Sequence, residues 1–212
     1  MAIDLDEIRE ASRDEQSRFV LDAVLANPHH RAILEDERVR ALPQPFLMAG
    51  SVYKAVWNAL MDQAPDYGVN DYDLAYFDAT DVSSASEARV QGEIARAFRS
   101  SNLTVEACNQ ARVHIWFNET FGTQRSALSS SLQAVEHFAS RTHAIGLYLD
   151  PAGRPTLHAP FGYAELLSLH VRPAPDLSGA RAWNAKCDEQ SRLWPRLRFE
   201  RVGLSLGGNI NS

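Results

Sequence analysis

Asn70-Asp71-Tyr72-Asp73-Leu74-Ala75-Tyr76-Phe77 is a short run that opens with two carboxylates and continues as apolar and aromatic residues. From Leu74 onward it has the composition of a buried strand. Side chains two apart on a strand share a face, with Cα atoms roughly 6.5–7 Å apart. Asp71 and Asp73 therefore project together from one end and can close on one cation. Upstream, Phe46-Leu47-Met48-Ala49-Gly50-Ser51 is an apolar run ending in Gly-Ser, and residues 52–61 have helical character. A strand, a Gly-Ser turn, a helix and a second strand bearing D-x-D suit one purpose. The turn can hold phosphates while the aspartates hold the metal that bridges them.

The physical case for the turn is a helix beginning just after Ser51. Its first N–H groups are free and its dipole end is positive. Gly50 permits close approach of a phosphate, and Ser51 adds a hydroxyl donor. Each motif alone has a plainer reading: Asp71 as a turn-capping residue, Ser51 as an N-cap, D-x-D as a common pattern. A third carboxylate adds weight. Glu106 lies within Leu103-Thr104-Val105-Glu106-Ala107-Cys108, and an acid inside an apolar strand is costly unless paired or bound to metal. With that strand beside 71–77, Glu106 joins the two aspartates. Three carboxylates suit Mg²⁺, a hard ion that keeps waters or phosphates in its shell. The alternatives for Glu106 are a surface-facing residue or a salt bridge to Arg112.

Composition narrows the class. The 212 residues carry a formal net charge of −6, which disfavours a duplex DNA-binding protein. Lysine occurs only as Lys54 and Lys186, with arginine supplying the rest of the positive charge. Cys108 and Cys187 have no metal-ligand spacing and read as cytosolic thiols. The acidic N-terminus lacks an apolar signal core, and no apolar run approaches the ~20 residues of a membrane span. A cytoplasmic protein with no membrane partner is expected.

Taken in order, residues 6–26 predict one helix with Val20, Leu21, Val24 and Leu25 inward. Asn27-Pro28 predicts an N-cap and first helical position for a second helix over 28–40. His29 and His30 face different ways on it and read as solvated. Leu42-Pro43-Gln44-Pro45 closes this helical hairpin. Strands over 46–49 and 71–77 follow, then a helix over 83–99 and a β-rich run over 103–108. Residues 111–117 alternate polar and apolar and predict a half-buried strand, with Arg112 and His114 on one face toward the cleft. Beyond a soft boundary at 120–125 come a helix near 130–139 capped by a serine, and a hairpin of 144–149 with 155–159. A short helix over 163–171 and an amphipathic helix over 178–193 complete the chain. The domain reading is N-terminal helices over 1–42, a core over 43–122, a smaller α+β unit over 123–200, and a disordered tail over 201–212.

Ala49-Gly50-Ser51, Asp71-Tyr72-Asp73 and Val105-Glu106-Ala107 together resemble the signature of the DNA polymerase β-like nucleotidyltransferase superfamily. The longer runs LMAGSVYKAVWNAL, YGVNDYDLAYFD, NQARVHIWF and APFGYAELLSLHVRPAP resemble an uncharacterised bacterial branch described simply as nucleotidyltransferase family proteins. The resemblance covers roughly residues 15–198. It implies an α/β (α+β) fold with a mixed sheet flanked by helices. It also implies Mg²⁺ or Mn²⁺ as cofactor, and transfer of a nucleotidyl group from an NTP to a hydroxyl with release of pyrophosphate. By correspondence Gly50 and Ser51 hold the triphosphate and Asp71 and Asp73 bind metal. Glu106 binds metal or takes the acceptor's proton. The stretch between Gly-Ser and D-x-D is longer than in many members, so the loop 65–68 is a departure.

Lys54, one turn into the helix, can reach a phosphate or stand solvated, and Arg112 is a further candidate for the nucleotide. His114 reads as a hydrogen-bonded structural histidine before a base. Trp57, Tyr72 and Trp116 read as core packing before base stacking. Ser51 lacks the G-x-S-x-G elbow of a hydrolase nucleophile. A small molecule is favoured as acceptor over a long nucleic acid. The rival reading is a non-catalytic nucleotide-binding or toxin–antitoxin-type interaction module that keeps the fold.

Overall fold

The structure, a computed structural model, describes residues 5–122, 124–175, 177 and 179–203. β1 (Phe46–Met48), β2 (Tyr72–Tyr76), β3 (Val105–Asn109), β4 (Gly146–Leu149) and β5 (Pro155–His158) form one sheet in the order β3-β2-β1-β4-β5. β1 runs antiparallel to both its neighbours, and β4 and β5 form the expected hairpin. β2 and β3 are parallel, which requires a crossover between them. The helices are α1 (Leu5–Glu10), α2 (Arg13–Leu25), α3 (Pro28–Glu35), α4 (Glu37–Arg40), α5 (Gly50–Leu60), α6 (Ser84–Phe98), α7 (Val113–Phe121), α8 (Ala164–Leu167) and α9 (Ala180–Leu193). β6 (His170–Val171) and β7 (Arg198–Phe199) pair in parallel as a small second sheet.

The sequence of α5 explains its central place. Val52, Tyr53, Val56 and Trp57 are apolar on more than one face, and all are buried. The helix packs between α2 on one side and β1, β2 and β4 on the other. α6 makes the crossover and closes the outer edge of β3 with side chains. Gln91 donates to the Val105 carbonyl at 3.2 Å and accepts from the Ala107 N–H, while Glu87 accepts from the Asn109 N–H at 2.9 Å. An edge strand that would expose unpaired backbone is thereby satisfied.

Several expectations change in the fold. The helix expected over 6–26 is two helices, because Ser12 and Glu15 form a capping box that starts α2. The Ser12 hydroxyl accepts from the Glu15 N–H and the Glu15 carboxylate from the Ser12 N–H at 2.9 Å. The helix expected over 28–40 breaks at Asp36, whose carboxylate caps α4. Asn27 and Pro28 hold their expected cap and first-turn places. His30 is buried rather than solvated, with Nδ1 2.7 Å from the Val24 carbonyl, and burial pulls its pKa down to about 4. Residues 111–117 are a helical turn and the start of α7, not a strand. Val113, Trp116 and Phe117 at i, i+3, i+4 make a helical stripe as readily as Val113, Ile115 and Phe117 make an alternating one.

Over 130–139 the chain forms a 3₁₀ helix, Leu132–His137, with the Ser130 hydroxyl accepting from the Gln133 N–H at 3.3 Å. The helix expected over 163–171 is only α8, after which Leu169 takes a positive φ of 57° and the chain extends into β6. The boundary at 120–125 does not divide the sheet, since β4 hydrogen-bonds to β1. Of the tail, residues 201–203 have no regular structure and 204–212 lie outside the described residues. No helix among the described residues is long and apolar enough to cross a membrane.

Candidate active site

The register of the sheet builds the site. β1 sets Met48 opposite Asp73, and β3 sets Glu106 opposite Asp73 on the other side. The end of β1 and its turn therefore arrive beside the aspartates. The turn is a single residue: Ala49 has φ 59° and ψ −132°, and its carbonyl accepts from the N–H of Val52 and Tyr53, both at 3.2 Å. That is an unfavourable conformation for a residue with a Cβ, and such strain gathers at functional sites. It turns the first amide of α5 toward β2, where the Gly50 N–H faces the Asp73 carboxylate and favours its charged form.

One face of Asp73 opens on a cleft of about 530 Å³ shared with Gly50, Lys54, Asp71, Lys186 and Glu189. Both lysines of the chain are in it. Lys54 donates to the Gly68 carbonyl at 2.7 Å. Burial lowers its pKa, and the Asp71 charge pulls the other way. Lys186 lies 5.8 Å from the Tyr53 ring centre, again with a pKa lowered by burial and opposed by Asp73. Asp73 itself is raised to about 6, first by burial, then by the charges of Asp71 and Glu106, with Lys186 and the Gly50 amide partly offsetting them.

The far wall of this cleft is α9. Gln190 donates to the Tyr53 hydroxyl at 2.9 Å, and Trp194 donates to Asn58 at 2.8 Å. Asn58 in turn donates to the Pro65 and Tyr67 carbonyls at 3.2 and 3.0 Å, fixing the long loop before β2. Gly68 is required there. Its φ is +69°, and a Cβ would stand 2.6 Å from the Trp194 ring. The loop that departs from the resembled pattern is thus the seat of the C-terminal helix.

The structure gathers some of the expected residues and separates others. Gly50, Lys54, Asp71 and Asp73 share the cleft. Ser51 is the second residue of α5, which starts at Gly50 with Ala49 rather than Ser51 at the cap; it is wholly buried and its hydroxyl has no hydrogen-bond partner. Glu106 faces the same way as Asp73 but is exposed, so it is not the buried acid that its sequence context suggests. Among the described residues no three His, Cys, Asp or Glu side chains are gathered closely enough to hold a metal ion. Arg112 is held elsewhere. It pairs with Glu87 and donates to the Val82 carbonyl at 3.0 Å, because the turn into α7 carries it toward α6. His114 has its Nδ1 buried without a partner, so the expected hydrogen-bonded role is not met at that atom.

Trp57 and Tyr72 are core residues, as read. Trp116 is not: it is 38% exposed. Lys186, Glu189 and Gln190 were not singled out from sequence. The signal present was compositional, since Lys186 is one of only two lysines.

A helix N-terminus set against a D-x-D strand in a mixed sheet defines a nucleotidyltransferase-type fold. The nucleotidyltransferase family model matches residues 37–199, and the chain belongs to that family. A solved NMR structure, described as revealing a CCA-adding enzyme head domain, is similar with a TM-score of 0.69 and 25% identity. The match covers 92% of this chain and 100% of the other. None of the curated proteins compared with the chain matches it.

Proposed function

We propose that this protein transfers a nucleotidyl group from a nucleoside triphosphate to a hydroxyl acceptor, with Mg²⁺ or Mn²⁺ held by Asp71 and Asp73. The observation that supports this reading is the convergence of the Gly50 amide, both lysines and both aspartates on one cleft. The donor set fits a hard divalent ion. Mutual repulsion and burial raise Asp73, so a cation there relieves a cost the protein carries without it. Two carboxylates suffice where phosphate and water fill the remaining positions. When bound, the ion neutralises phosphate charge and stabilises the oxygens of an in-line displacement.

The chain's own groups take the other roles. The N-terminus of α5, Lys54 and Lys186 bind the β- and γ-phosphates. The Ser51 hydroxyl, a buried donor with no partner at the start of α5, is the remaining group for a phosphate oxygen once nucleotide binding opens a path to it. The acceptor oxygen attacks the α-phosphorus and its proton passes to Glu106. The bond to the β-phosphate breaks and pyrophosphate leaves with the electron pair.

The standing of Glu106 outside a three-carboxylate cluster favours a second reading, a nucleotide-binding module without transfer. Calorimetry with each NTP, with and without Mg²⁺, followed by label transfer from α-labelled NTPs with a cell extract as acceptor source, separates the two. Metal-dependent binding with transfer lost in Asp73→Asn supports the enzyme. Binding with no transfer in wild type supports the module.

A further inference from the structure

Asp73 borders a second cleft, and its chemistry differs from the first. This one holds about 590 Å³, within the range of pockets that enclose a small molecule. Asp73 and Glu106 lie at its floor, and Gln110 and His137 add further polar groups to its lining. Its walls are Val113, Trp116 and Phe117 of α7 facing Leu128, Ala134 and Phe138 of the following segment. Among the described lining residues the arginine is Arg125, its guanidinium carbon 3.9 Å from the centre of the Phe117 ring. Neither lysine reaches it.

The position of this cleft follows from the geometry of substitution at phosphorus. The nucleophile enters opposite the leaving group. With the leaving pyrophosphate against Gly50, Lys54 and Lys186, the entering hydroxyl comes from the other side of Asp73. That is the side on which Glu106 stands ready for the proton. Resting on the transferase reading above, we propose that the second cleft receives the acceptor, and that the acceptor is a small, phosphate-free alcohol with an aromatic or branched apolar body. The cleft's lining includes one arginine and no lysine, whereas a polynucleotide end needs several cationic contacts. The apolar walls and the half-exposed Trp116 reward an apolar ligand. The balanced step is O–H addition to the α-phosphorus, loss of the bond to the β-phosphate, and proton transfer to Glu106.

The test uses phenethyl alcohol as the probe, with glycerol and a short single-stranded RNA with free terminal hydroxyls as comparators, read by saturation-transfer NMR on the full chain. The expected result is a signal for phenethyl alcohol and none for glycerol or RNA. Ala139→Trp, which fills the cleft, should weaken that binding by about tenfold or more, as should Trp116→Ala, whose surface position keeps the fold safe. NTP affinity in the presence of Mg²⁺, measured on the same samples by calorimetry, should not change. Failure of phenethyl alcohol to bind wild type, or binding indifferent to both substitutions, would overturn the acceptor assignment alone. RNA binding in this cleft would overturn the substrate class. Loss of NTP affinity in Trp116→Ala would show that the nucleobase occupies the cleft and so overturn the proposal. No NTP binding in wild type, with phenethyl alcohol still bound, would instead remove the transferase reading and the acceptor role with it.

Discussion

The two clefts that meet at Asp73 are made from different kinds of sequence. The phosphate-side cleft combines a helix N-terminus, two lysines and two aspartates, and its near side comes from residues within about one strand and one helix of each other. The opposite cleft is walled by α7 and the irregular chain that follows, with only its floor taken from the sheet. Charge and backbone polarity define the first, apolar area the second. Asp73 lines both, and on the proposed reading this one carboxylate stands between the leaving group on one side and the nucleophile on the other.

The largest effect that can break this contrast is at the shared residue. Asp73→Asn should lower transfer by about 10²–10³-fold or more while leaving the fold intact. Without metal it should melt no lower than wild type, because one of three mutually repelling charges is gone. Label-transfer rates and thermal melts check both halves, and transfer equal to wild type would remove Asp73 from the site.

Next in size is an acid effect in the helical layer behind the phosphate side. His30 meets the Tyr72 ring edge-on at 5.7 Å between centres and is held neutral, its pKa lowered from 6.5 to about 4. The unfolded chain takes up this proton first as pH falls. Stability from this group is therefore full above about pH 6.5 and is lost on the way down to about pH 4, a span worth roughly 3 kcal/mol. Denaturant melts from pH 7 to pH 4 read it, and His30→Gln should flatten the slope.

A smaller effect distinguishes a structural arginine from a phosphate ligand. The Arg112–Glu87 pair is 13% and 19% exposed, so Arg112→Met should cost about 1–3 kcal/mol of folding stability. NTP affinity by calorimetry should stay as in wild type. A fall in affinity without loss of stability would return Arg112 to the nucleotide. An effect of similar size sharpens the phosphate side itself. Ser51→Ala should weaken Mg²⁺-dependent NTP binding by about 1–3 kcal/mol, and should cost little stability in the nucleotide-free protein, whose hydroxyl has no partner to lose. Unchanged affinity would leave Ser51 as a packing residue.

What was legible in the sequence is local in origin. The continuous apolar run after Asp73, the Gly-Ser turn before α5, the cap at Asn27-Pro28 and the Pro- and Gly-containing turn of the β4–β5 hairpin are all set by neighbours in the chain. They give the mixed α/β fold and the pairing of D-x-D with a helix N-terminus. Short range also explains the misreading at 111–117, where Val113, Ile115 and Phe117 fit a period of two and Val113, Trp116 and Phe117 fit that of a helix. There the choice falls to the turn after β3, in which Asn109 accepts from the Ala111 N–H at 3.1 Å and the Asp78 N–H at 3.0 Å.

Tertiary structure alone decided the rest. Lys186 joins Lys54 because Trp194 packs on Gly68 and bonds Asn58, a contact between residues more than a hundred positions apart. Glu106 stands opposite Asp73 because α6 returns the chain in a parallel crossover, and no spacing along the chain encodes that register. Arg112 is taken by Glu87, and His30 is buried, because other elements arrive over them. The sequence determined which groups are candidates for phosphate and a divalent ion. Only packing determined which of them share a cleft, because burial and long-range pairing depend on what the whole chain brings to each side chain.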